Sequence, residues 1–308
     1  MKVYIFFLLA ALTCNGAMAQ SNWSNYTWKI SLKIIDEEGL SLSAVKVGVG
    51  FYTNSQPASI DGITDSNGLF TASQSVEPSA AGYLLGFSAE KEGYYTTRSG
   101  LKLAEYDSFK WNPTVTMMLK KNGKPIAMYA RSVNENPPVL GQSISYDLMM
   151  GDWVCEGHKG VNSDIIFQKW AYRKSGTDYE YKVRVTFPKS GDGIQIYTIP
   201  DLEMGSDFRS PHDAPSDGYQ PEIDKERSAH PGQPTKNDDD PNRIYLFRVR
   251  TVLDHEGRVV SAHYGKIYGD FMQFRYYLNP TPNDRNIEFD PKHNLLGGLH
   301  SFEQVTAP

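Results

Sequence analysis

Asn237-Asp238-Asp239-Asp240-Pro241-Asn242 places three consecutive carboxylates beside two carboxamides. A calcium ion takes about six to eight such hard oxygen donors, so Asp238, Asp239 and Asp240 are the candidate metal ligands; a solvated acidic loop is the ordinary alternative. Asp65-Ser66-Asn67-Gly68 opens like a calcium loop, but neutral residues from Gln74 to Val76 stand where the closing acid belongs. It reads as a plain turn. Cys155 and His158 are spaced like half of a zinc site, or like a thiol and imidazole pair. No second Cys pair or close His pair completes the ligands, since His255 and His263 fall on opposite strands of one expected hairpin, and Cys155 is expected to be a buried or idle thiol. The chain has no serine elbow, phosphate loop or dinucleotide fingerprint. Calcium is thus the one cofactor its chemistry invites.

Asp147, Asp152, Asp164, Glu180 and Asp270 have the chemistry of general acids and bases. A glycosidase draws its pair from such a set, but only a separation of about 5 to 9.5 Å between carboxyls defines one. Aromatics are dense in the same half: Trp153, Trp170, Tyr172, Tyr179, Tyr181, Tyr264, Tyr268, Tyr276 and Tyr277. Most must be core. Trp153, Tyr268 and Tyr277 each lie near a glycine or polar residue that would keep a ring accessible, and an accessible ring stacks on a sugar while neighbouring donors bond its hydroxyls. These three are the expected glycan-binding residues.

The elements that must position these groups are strands. From Tyr26, Trp28, Ile30, Leu32 and Ile34 alternate with Thr27, Lys29, Ser31 and Lys33, the mark of a half-buried strand. Asp36-Glu37-Glu38-Gly39 turns the chain, and Val45, Val47, Val49 and Phe51 repeat the alternation. Further short strands are expected at 62–64, 69–73, 83–89, 94–98 and 114–119, which suggests a seven-stranded sandwich. The acidic-Gly turn, the valine-x-valine strand, Gly62-Ile63-Thr64-Asp65-Ser66-Asn67-Gly68-Leu69-Phe70 and Lys91-Glu92-Gly93-Tyr94 together resemble a carboxypeptidase regulatory-like domain over residues 26–120. The resemblance implies a transthyretin-like or immunoglobulin-like β-sandwich, commonly a non-catalytic stalk or accessory module of exported proteins.

Asn122-Gly123-Lys124-Pro125 and Asn134-Glu135-Asn136-Pro137-Pro138 bracket an expected linker over 125–142, because proline donates no hydrogen bond to a ladder. Beyond it strands are expected at 143–154, 164–173, 178–187, 193–199, 243–253, 258–268 and 271–278, with hairpins at Ser175-Gly176-Thr177 and His255-Glu256-Gly257. Tyr179, Tyr181, Val183, Val185 and Phe187 alternate with Glu180, Lys182, Arg184 and Thr186. Residues 200–242 lose all periodicity and fill with Pro, Asp, Gly and Ser, so a long exposed loop is expected there. Tyr146-Asp147-Leu148-Met149-Met150-Gly151-Asp152-Trp153-Val154 and the irregular 278–291 are similar to segments of uncharacterised exported bacterial proteins, a likeness that implies no activity. The fold class expected is all-β, two antiparallel β-sandwich domains in tandem, covering 20–124 and 143–308.

Lys2, the apolar run 3–12 and Ala17-Met18-Ala19 before Gln20 form a secretory signal peptide over 1–19. A lipidated Cys14 is the rival, disfavoured because Thr13 stands where such sites want Gly or Ala. No other run approaches the roughly 20 apolar residues of a spanning helix. Loss of Lys2 takes the net charge from −5 to −6, which argues against nucleic acid as a partner. With Cys14 removed, Cys155 has no partner for an internal disulfide. The expectation is a non-catalytic binding or structural protein, periplasmic or extracellular, partnered by a glycan or an envelope protein. The alternative is a hydrolase with a carboxylate pair in the second domain.

Overall fold

The computed structural model describes residues 26–52, 58–76, 83–103 and 113–308; the signal segment and the Gln20 start lie outside the described residues. The chain is all-β, with no α-helix among the described residues and one 3-10 turn at Asp201–Glu203. The first unit holds β1 (Tyr26–Ile35), β2 (Lys46–Tyr52), β3 (Ala58–Ile63), β4 (Leu69–Val76), β5 (Tyr83–Glu90), β6 (Thr97–Leu103) and β7 (Thr114–Met118). The second holds β8 (Ile126–Val133), β9 (Ser143–Asp147), β10 (Asp152–Trp153), β11 (Ile165–Ser175), β12 (Asp178–Thr186) and β13 (Gly193–Thr198). It continues with β14 (Glu222–Ala229), β15 (Lys236–Asn237), β16 (Arg243–Leu253), β17 (Val259–Gly269), β18 (Phe274–Leu278) and β19 (Phe289–Asn294).

In the first unit a sheet of order β4-β1-β7 faces one of order β3-β2-β5-β6. The alternation of the sequence decides the faces: Ile30, Leu32 and Ile34 of β1 and Val47, Val49 and Phe51 of β2 are buried together with Leu85, Phe87 and Met117. Each such side chain contributes about 1.5–3 kcal/mol on burial. Asp65-Ser66-Asn67-Gly68 is a turn, with Asp65 Oδ1 accepting from the N–H groups of Asn67 at 2.8 Å and Leu69 at 2.9 Å. Gly68 is required there. Its φ is +69°, and a Cβ would stand 2.6 Å from the Ile34 carbonyl oxygen.

The second unit packs a sheet of order β10-β9-β11-β12-β14-β15 on one of order β13-β16-β17-β18-β8-β19. Between them lie Tyr146, Trp153, Phe167, Val183, Val185, Phe247 and Tyr276. The second sheet is covered on its far face too, where Ile244, Leu246, Tyr264 and Tyr277 pack under Ala214, Ile287, Phe289 and Val305. Two pairings are parallel, β1 with β7 and β8 with β19, so neither unit is purely antiparallel.

Two segments depart from the expectation. The expected linker contains β8, which pairs with β18 from Val133↔Phe274 to Tyr129↔Leu278, because Met128 and Ala130 are apolar enough to be fully buried. Prolines flank that strand rather than interrupt it. Residues 200–242 are not one exposed loop: Phe208, Ser210 and Ala214 are 0% exposed under the second sheet, and the remainder supplies β14 and β15. β14 escapes a period-2 search because Lys225 and Arg227 stand on its inner face, opposite Val183 and Tyr181, where an apolar alternation would show. Side chains also join the two sandwiches. Arg98 pairs with Asp207 at 2.8 Å, Lys120 with Glu203 at 2.7 Å, and Tyr95 stacks on Phe208 at 4.9 Å.

Candidate binding face

The three aromatics expected to stack on sugars are core. Trp153 is 0% exposed and sits edge-on to Tyr146 at 4.9 Å, while Tyr268 and Tyr277 meet edge to face at 5.8 Å. Trp153 is buried between the two sheets, and Tyr268 and Tyr277 are buried because the second sheet is covered on its far face as well. No ligand reaches these rings, and they leave the candidate site.

The acids also have other work. Asp238 Oδ2 accepts from the Glu226 N–H at 2.8 Å, Asp239 pairs with Arg227 at 3.5 Å, and Asp240 pairs with Arg243 at 3.0 Å. The run therefore does not converge on a calcium ion, and among the described residues no group of three His, Cys, Asp or Glu is placed to hold a metal. Asp147 and Asp164 flank one guanidinium, with Arg250 Nη2 2.9 Å from Asp147 Oδ1 and Arg250 Nε 2.8 Å from Asp164 Oδ1. Burial pushes the Asp147 carboxyl up, but the N–H groups of Asn162, Met150 and Val161, with Arg250, bring it below its ordinary value. These oxygens are saturated with donors and clamp the loop 147–164. His158 Nδ1 bonds Asp152 at 2.8 Å rather than the Cys155 thiol, and Asp270 accepts from the Met272 and Gln273 N–H groups.

Lys266 Nζ stands 3.1 Å from Ser210 Oγ, the composition of a serine and lysine hydrolytic pair. Burial drives the Lys266 amine well below its usual range, yet both residues are 0% exposed and the amine lies under Phe208 and Tyr277. An acyl group has no approach. The Lys169 amine, pushed down to about 8 by burial, spends its hydrogen bond on the Met272 carbonyl.

What remains open is the outer face of the first six-stranded sheet. Phe167 and Lys169 of β11 point to the core, so Gln168, Trp170 and Tyr172 point outward, with Trp170 38% and Tyr172 50% exposed. The register sets them in rows: Gln168 opposite Arg184 and Asp224, Trp170 opposite Lys182 and Glu226, Tyr172 opposite Glu180 and Ser228. The charged groups of those rows are tied across strands. Arg184 grips Asp224 through two bonds of 2.8 Å, Lys236 bonds Glu226 at 2.8 Å, and Lys182 bonds Glu180. The partnership with Arg184 lowers the Asp224 carboxyl, and that with Lys236 lowers Glu226. Beside Trp170 the strands form a trough of about 530 Å³, walled by Lys182, Arg184, Asp224, Glu226 and Lys236.

Trp170 and Tyr172 belong to the sequence's aromatic set without having been singled out. The signal that finds them is the polar alternation of β12, since the partner strand of Glu180, Lys182 and Arg184 must present its own outward residues beside theirs.

No protein-family model matches the chain, and no curated relative does. Among solved structures, 3-chlorocatechol 1,2-dioxygenase from Rhodococcus opacus 1CP matches at 16% identity and a TM-score of 0.25, over 33% of this chain. Invasin, a bacterial integrin-binding protein, matches at 11% identity and a TM-score of 0.18, over 82% of this chain. The matched parts span 62% and 54% of those two chains. At these TM-scores neither likeness carries an argument.

Trp170 and Tyr172 thus present an indole and a phenol on an exposed sheet face, among donors and acceptors fixed by their own pairings.

Proposed function

We propose that the chain is an exported, non-catalytic binding protein of the bacterial envelope or exterior, whose ligand is a glycan seated on Trp170 and Tyr172. The observation that carries this is the exposure of those two rings on one open face, framed by side chains that are already fixed. Saccharide rings present apolar C–H faces to an aromatic and hydroxyls to its polar neighbours, and preordered groups give up little conformational freedom on binding. The first sandwich, with its resemblance to carboxypeptidase regulatory-like domains, serves as the accessory module that presents the second. A hydrolase reading finds its acids partnered: Asp147 and Asp164 with one guanidinium, Asp152 with a histidine, Glu180 with Lys182, Asp270 with backbone N–H groups.

The test is a glycan array probed with the full mature chain and with Trp170→Ala. Binding by the first and its loss in the second is expected. Absence of binding to every glycan, or binding that survives the substitution, overturns the proposal. Intact-mass measurement of the chain recovered from the cell exterior checks export, with a start at Gln20 expected and a lipidated start at Cys14 overturning it.

A further inference from the structure

Which glycan the face takes is written in its charges. The trough has four basic residues in its lining, Lys182, Arg184, Lys225 and Lys236, and four acids, Glu180, Asp224, Glu226 and Asp238. The basic groups are also spent. Arg184 presents its Nε and Nη2 to Asp224, Lys236 is held by Glu226, and Lys182 lies on Glu180 with Glu226 at 4.0 Å. Lys225 bonds the Asp238 carbonyl and lies 5.6 Å from the centre of the Tyr245 ring. A uronate, sulfate or phosphate that draws on Lys182, Arg184 or Lys236 competes with the carboxylate each already holds and meets its like charge, while Lys225 is turned to the Asp238 carbonyl and is 7% exposed. A hydroxyl meets no such cost, because paired carboxylates keep lone pairs free to accept and paired ammoniums keep N–H groups free to donate.

The shape narrows the choice further. Trp170 and Tyr172 are two residues apart on one strand, so their rings repeat at about 6.8 Å along β11. The trough is open to solvent rather than closed around a chain end. Two rings in line on an open sheet suit neighbouring residues of one extended polymer.

We infer that the ligand is a neutral, extended polysaccharide, gripped along its length by Trp170 and Tyr172, and not an acidic glycan. This rests on the glycan-binding proposal above and deepens it. Calorimetric titration of the full mature chain against cellohexaose and mannohexaose, beside oligogalacturonate and chondroitin sulfate, separates the two. The inference expects a neutral hexaose to bind, with affinity unchanged between about 0.01 M and 1 M salt and weakened about tenfold or more in Trp170→Ala, the weight of one aromatic contact. Glu226→Gln, which releases Lys236, is expected to gain salt-sensitive binding of oligogalacturonate that the parent lacks. Salt-sensitive binding of an acidic glycan by the parent chain overturns the inference and leaves the glycan proposal standing. Binding of neither class overturns both.

Discussion

His212 Nδ1 lies 3.2 Å from Glu288 Oε2, on a carboxylate that is 1% exposed and that also accepts from Tyr95 of the first sandwich. The same Glu288 takes the N–H groups of Gly123 and Lys124, both at 2.8 Å, where the chain passes from one sandwich to the other. One buried carboxylate thus fastens the first sandwich, the connector and the 200–219 segment.

Replacing that carboxylate should loosen the whole junction. Glu288→Gln keeps the shape but surrenders the charge that four donors converge on, and breaking a buried charged network of this kind costs about 3 kcal/mol. Urea denaturation of the full chain checks this, with an earlier cleavage between the sandwiches in limited proteolysis as the accompanying sign.

The junction should also depend on pH in both directions. Burial pushes the Glu288 carboxyl up, but His212, Tyr95 and the Gly123 N–H outweigh it and hold it below its ordinary value. His212 is raised, chiefly by its hydrogen bond to Glu288. The Glu288 contribution is present above the unfolded value of about 4.3 and lost as pH falls through the lower folded one; the His212 contribution is present below about 6.5 and lost as pH rises through the higher folded one. Both operate between about pH 4.5 and pH 6.5. The difference in melting temperature between the parent and His212→Gln is expected to be largest in that window and to shrink as pH rises beyond it.

Arg250 is the shared counter-ion of Asp147 and Asp164, which are 0% and 2% exposed. Arg250→Ala leaves two buried carboxylates facing each other and should cost about 3–5 kcal/mol. Arg250→Lys is expected to recover only part, since an ammonium cannot span both acids as the planar fork does. Denaturant midpoints of the two variants rank them.

Trp153→Ala and Tyr277→Ala should each cost about 3–5 kcal/mol as cavity-forming core substitutions. Glycan affinity per folded molecule is expected to be unchanged in both, in contrast to Trp170→Ala, which should leave the melting temperature within a degree or two of the parent because the ring is 38% exposed. Melting curves recorded alongside each titration separate core from face.

Two glycines with similar backbone angles make a matched pair. Gly68 at φ +69° has the Ile34 carbonyl oxygen 2.6 Å from any Cβ, whereas Gly93 at φ +81° has nothing within 4 Å. Gly93→Ala should cost only the left-handed penalty of about 1–2 kcal/mol, and Gly68→Ala clearly more. Thermal unfolding of both variants orders them.

The sequence by itself determined the all-β class and five strands of the first sandwich, whereas β3 at Ala58–Ile63 and β6 at Thr97–Leu103 barely overlap the expected 62–64 and 94–98. Apolar residues at every second position, as in Ile30, Leu32 and Ile34, specify a strand and its buried face without outside help, and Asp65 and Gly68 specify their turn by local hydrogen bonds and a left-handed φ. Where stability comes from partners distant in sequence, the pattern falls silent. β14 carries Lys225 and Arg227 on its inner face and is held by its ladder with β12, about forty residues away in sequence, so no local period betrays it. Nor does local pattern tell which aromatics are open. Tyr268 and Tyr277 are enclosed by segments that return over them from 200–219 and 287–305, and Trp153 by the facing sheet, whereas Trp170 keeps 38% of its surface exposed. Even the side on which Trp170 emerges was a tertiary decision. Ser175 pairs with Asp178 but Arg173 with Tyr179, and this one-residue bulge is what sets Phe167 opposite Val185 in the core and Trp170 opposite Lys182 in solvent. Without it every side chain of β11 would meet the wrong face of β12, because the strand's period is two and a slip of one inverts it.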